Sequence, residues 1–73
     1  MKRYPEYLVI IEKEKNTYGA YVPDLPGCVA VAKSRTRVRK LIEEAIALHL
    51  EDMRATGQQI PRPSASFELV SAA

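Results

Sequence analysis

The chain holds one cysteine and one histidine among 73 residues. A lone cysteine excludes an internal disulfide, and with only His49 beside it no cysteine-rich or histidine-rich zinc site can be assembled. A reducing, cytoplasmic setting is therefore expected. No apolar run approaches the ~20 residues that cross a bilayer. The first residues, "MKRYPEYLVII", lack a long apolar core and a small-residue cleavage site, so they do not read as a signal peptide. Charge of one sign is also scarce: 11 Lys and Arg against 9 Asp and Glu leave a net +2. No internal repeat or low-complexity tract appears. One domain over residues 1–73 is expected. A core of this size supplies only ~3–5 kcal/mol, which makes association with another chain a common remedy.

What is present is organised in two periods. "YLVIIEK" (7–13), "YGAYV" (18–22) and "CVAVA" (28–32) are rich in β-branched and aromatic residues and predict three strands. "EKNT" (14–17) is polar, and Asn16 tolerates left-handed backbone, so a hairpin turn fits there. From Val38 the apolar positions 38, 41, 42, 45, 46, 48, 50 and 53 follow helical spacing. Ser34 is placed to cap that helix and Gly57 to end it, predicting a helix from about Arg35 to Thr56. Pro61 and Pro63 cannot continue it. "SFELV" (66–70) alternates Phe67 and Leu69 with Glu68 and Val70 and predicts a short last strand. The expected fold is α+β, a three-stranded antiparallel sheet with one helix and a final strand, in the order β-β-β-α-β.

The stretch "YVPDLPGCVA" (21–30) crowds two prolines, Asp24, Gly27 and Cys28 between apolar runs. Pro26-Gly27 suits the centre of a type II turn, since the ring presets the first φ and glycine accepts the positive second one. Cys28 then reads as a small buried residue rather than a nucleophile served by His49, because no activating group lies near it in sequence. Asp24 has no second carboxylate beside it for acid–base work. His49, in line with positions 45 and 53, reads as a packed or boundary histidine rather than a catalytic one.

These pieces resemble the HicB-like antitoxin family. The resemblance rests on "YLVIIEKE", "YGAYVPDLPGC", the helix with "EEAIALHLEDM", and "GQQIPRP" after it. It covers nearly the whole chain. It implies a cut-down ribonuclease-H-like fold and a cognate HicA-like toxin, a small ribonuclease that degrades mRNA and is blocked by the antitoxin. Longer members carry a C-terminal DNA-binding module; a chain ending at Ala73 leaves no room for one. The resemblance implies toxin contacts through the sheet and the proline loop, with Tyr18, Asp24, Leu25 and Pro26 as candidates. Where family members commonly have acidic residues at the start of the helix, this chain has "AKSRTRV". Its bases, among them Arg35 and Arg37, are a second candidate surface for an acidic partner.

Two further expectations come from the residues alone. Val9 and Ile11 lie on one face of the first strand, Leu8 and Ile10 on the other. One helix covers one face, so one of these pairs faces away. That face, assigned to Leu8 and Ile10, is expected to meet another polypeptide, as a homodimer or higher homo-oligomer or with a partner protein, unless the C-terminal segment folds over it. Enzymatic readings are weaker. A ribonuclease-H-like metal site needs several converging carboxylates, and Glu12, Asp24 and Glu68 need not converge. No cofactor or metal is expected. Nucleic-acid binding through the arginine cluster is the other alternative, with Tyr4, Tyr7, Tyr18 and Tyr21 as possible base-stacking groups, although no recognisable motif surrounds them.

Overall fold

The computed structural model describes residues 5–72; Tyr4 lies outside them. The chain forms β1 (Ile10–Lys13), β2 (Tyr18–Tyr21), β3 (Val29–Ala32) and α1 (Arg35–Ala55). These make an antiparallel sheet in the order β1-β2-β3, followed by one helix, as expected for an α+β fold. The final strand is a correction: residues 66–70 pair with no strand and stay exposed. Alternation makes a strand only where an edge receives it. Here Asp24 holds Ser64 and Ala65 at the β2–β3 loop instead.

The registers put Ile11, Ala20 and Ala30 in one row across the sheet, and Lys13, Tyr18 and Ala32 in another. Side chains of these rows share the face toward α1. Small residues in the middle of that face let the helix approach closely. Ala20, Val22, Leu25, Cys28, Val38, Ile42 and Leu50 form the buried core, with Val9, Ile11, Ile46 and Met53 packed around it.

The β1–β2 turn closes with the Glu14 N–H donating to the Thr17 carbonyl at 2.8 Å. No non-glycine residue has positive φ among the described residues, so the turn forms without drawing on the tolerance of Asn16 for left-handed backbone.

Helix α1 begins where Ser34, in extended backbone, accepts a hydrogen bond from the Arg37 N–H at 3.1 Å. It ends in a Schellman arrangement. Gly57, at φ 76°, donates to Arg54 O at 3.2 Å, and Gln58 donates to Met53 O at 2.8 Å. The helical stripe is narrower than its spacing suggests. Val38, Ile42 and Leu50 are buried, whereas Leu48 is 66% exposed and belongs to the solvent side. His49 is half-buried, at the margin.

Candidate protein-docking surface

The loop between β2 and β3 is two turns in succession. Leu25 N–H donates to Val22 O at 3.0 Å, enclosing Pro23 and Asp24, and Cys28 N–H donates to Leu25 O at 3.0 Å, enclosing Pro26 and Gly27. Gly27 has φ 86°, the positive angle a type II turn requires at that position. This geometry turns the Leu25 side chain inward, where it is only 1% exposed. Leu25 is thus a core residue of the folded chain, and Pro26 is the apolar group the loop shows to solvent. Cys28 is buried too, and burial raises its thiol pKa, which disfavours the thiolate.

Asp24 has an internal task. One carboxylate oxygen accepts from the backbone N–H groups of Ser64 (3.0 Å) and Ala65 (3.1 Å), and the other from the Ser64 hydroxyl (2.9 Å). Those donors hold its carboxyl below the usual carboxylate range. Nearby, the Tyr7 hydroxyl donates to Pro61 O, and Ile60 packs against the core. Burial, and secondarily the Asp24 charge, push the Tyr7 phenol upward. Tail residues 60–65 are therefore strapped across the end of the sheet. The proline-rich composition of that segment gave no sign of the strap; the only local signal was a serine able to donate twice to one carboxylate.

The opposite face of the sheet carries the rows Ile10–Tyr21–Val29 and Glu12–Gly19–Val31. No helix covers it. Val29 is 62% exposed, Val31 64% and Tyr21 40%, whereas Leu8 and Ile10 are half-buried. The face expected from Leu8 and Ile10 exists, and its most open members lie on β3. Tyr18 is on the other side, half-buried against the core. Arg35 and Arg37 are exposed at the start of α1, and Arg39 pairs with Glu43 at 3.5 Å on the helix surface. The structure thus brings no expected site residues into one cluster. It separates an apolar sheet face, a proline turn and a basic helix start. Among the described residues, no group of three or more His, Cys, Asp or Glu is placed to hold a metal ion, and no helix is long and apolar enough to cross a membrane.

Sequence comparison adds the lineage. A family described as "HicB_like antitoxin of bacterial toxin-antitoxin system" matches residues 7–73, from the start of the first apolar run through the tail. The chain belongs to the HicB-like antitoxin family. Curated relatives agree with that membership. A UPF0150 protein of Helicobacter pylori strain J99 is 48% identical over 46 residues, covering 63% of this chain and 64% of the relative. A UPF0150 protein of Archaeoglobus fulgidus is 40% identical over 47 residues, 63% of this chain and 68% of the relative. An "uncharacterized 14.9 kDa protein in rep-hol intergenic region" of Haemophilus phage HP1 is 32% identical over 56 residues. That match covers 77% of this chain but only 42% of the phage protein. No solved structure matches the chain.

Proposed function

We propose that this HicB-like chain is the antitoxin of a toxin–antitoxin pair, and that it binds a small HicA-like ribonuclease toxin through the uncovered sheet face. The supporting observation is that face itself. Tyr21, Val29 and Val31, flanked by Leu8 and Ile10, form a contiguous apolar surface rather than scattered single residues. Such surfaces characteristically mark interaction sites. Pro26, Arg35 and Arg37 are exposed elsewhere on the chain and are secondary candidates for contact. Of the other sequence candidates, Asp24 acts in this reading by holding the tail, while Leu25 and Tyr18 support the loop and strand from within. The mechanism is steric: the antitoxin occludes the toxin's catalytic surface and performs no chemistry of its own. The complex would form in the cytoplasm.

Co-expression with the small protein encoded beside its gene tests this. The wild-type chain is expected to co-purify with that protein and to rescue growth. A Val29→Lys/Val31→Lys variant, still folded, is expected to do neither. Equal binding by that variant would remove the sheet face from the proposal. Failure of the wild-type chain to bind would remove the antitoxin role. A second copy of the chain is the competing occupant, the role first suggested by Leu8 and Ile10. It would show as a dimer that the same double substitution dissociates.

A further inference from the structure

A second incomplete surface lies on the other side of β1. Helix α1 sits mainly over β3 and β2 and reaches β1 least. Between β1 and the helix it leaves a groove of about 530 Å3, floored by Tyr7, Val9, Ile11, Ile42, Ile46 and Leu50. Along this groove runs the outer edge of β1, which pairs with no strand among the described residues. A free edge beside an apolar groove is what strand addition needs. The backbone edge supplies hydrogen bonds, and the groove takes every second side chain.

The same chain carries a segment with the matching pattern. In "SFELV" (66–70), Phe67 and Leu69 are two residues apart, as a strand would need to place both in one groove. They are 74% and 91% exposed, and no hydrogen bond ties residues 66–72 to the fold among the described residues. We infer that this segment docks on the β1 edge of a second copy of the chain, as a fourth strand, with Phe67 and Leu69 in that copy's groove.

The strap at residues 60–65 favours the second copy over the chain's own edge. The tail meets Tyr7, just ahead of β1, at Pro61, and reaches Asp24, beyond the end of β2, by Ser64. It is already moving across the sheet away from the free side of β1. Returning there would require the tail to reverse its direction after Ala65. In a pair of copies each tail can leave its strap and enter the neighbour's groove, an exchange that closes with twofold symmetry. Two such insertions, each covering on the order of 400 Å2 of segment and as much groove, reach the ~1,600 Å2 of a standard interface. This contact uses neither Val29 nor Val31, so it is independent of the toxin-binding reading.

Sedimentation of the full chain is expected to show twice the 8.2 kDa chain mass. Phe67→Ser/Leu69→Ser is expected to weaken the dimer tenfold or more while leaving the helical circular dichroism unchanged. A short bismaleimide reagent then distinguishes the occupants. Mixing a Glu12→Cys chain with a Glu68→Cys chain is expected to give a cross-linked heterodimer, since both positions are exposed and Cys28 is buried. A wild-type chain that sediments as a monomer overturns the inference. So does a dimer indifferent to the Phe67/Leu69 substitutions, which assigns association to the open sheet face. Cross-linking confined within a Glu12→Cys/Glu68→Cys chain also overturns it, by placing the segment on its own β1.

Discussion

The two faces of the sheet are built from similar residues and have opposite fates. Toward the helix stand Val9, Ile11, Ala20, Val22 and Cys28, buried or packed against the core. Away from it stand Ile10, Tyr21, Val29 and Val31, three of them substantially exposed. Hydropathy does not separate these sets. What separates them is one helix whose stripe, Val38, Ile42 and Leu50, is wide enough for one face only. The inner face is packed beneath the helix, and the outer face is left open to solvent.

The largest expected effect lies under the helix. Ile42→Ala removes a side chain that is 2% exposed and central to the core. Such truncations cost ~2–5 kcal/mol through lost transfer energy and the cavity left behind. The whole core supplies only ~3–5 kcal/mol, so the variant is expected to be largely unfolded by circular dichroism at 37 °C. A urea transition close to that of wild type would mean that the two faces are energetically alike.

The seating of the helix comes next. Ser34→Ala removes the acceptor for the Arg37 N–H, and no acidic residue in the first turn can replace it. The basic residues there, Arg35 and Arg37, already oppose the helix dipole. A loss of ~1 kcal/mol is expected in denaturant titration. Ser34→Asp should recover it, because aspartate caps and adds a favourable charge.

The local features of the fold were legible in the sequence, and the long-range ones much less so. The Pro26-Gly27 turn, the Ser34 cap and the Gly57 stop each rest on a local backbone requirement that few residues meet, and each was read correctly. Leu48 was not, because helical spacing marks a stripe without stating how much of it a narrow sheet can cover. Residues 66–70 were misread for a related reason: alternation describes a segment's capacity, while pairing depends on an edge arriving beside it. Leu25 looked like loop surface because its burial follows from two successive turns and not from its neighbours' composition. The Asp24 strap joins residues some 40 positions apart, and no local pattern announces such a bond.

On the outer face the expected stability effect is small. Val31→Thr replaces a side chain that is 64% exposed, and should shift the unfolding free energy by no more than ~0.5 kcal/mol. Threonine keeps the branched shape that suits a strand. A loss comparable to that of Ile42→Ala would show that Val31 is covered in solution. With the wild type above its dimer dissociation constant, that result would point to self-association through this face.

The smallest effect concerns neither face but the strap across their common end, and it depends on pH. Bonds from Ser64 and Ala65 depress the folded-state pKa of Asp24 below its unfolded value. The unfolded chain therefore takes up the proton first as pH falls, and the strap's contribution is complete only above the unfolded value of ~4. It is lost as pH drops through the depressed folded value, because a protonated carboxyl is a poorer acceptor for three donors. Since Asp24 lies near solvent, the change should be confined to the tail. Amide exchange at Ser64 and Ala65 is expected to lose protection as the pH falls from 6 to 3, relative to the ordinary pH trend of exposed amides, while the Val38 and Ile42 amides keep theirs. Asp24→Asn should remove the pH dependence and leave those two amides partly unprotected at every pH. If core and tail amides lost protection together, the strap would be part of the cooperative fold rather than a separately opening attachment of the tail.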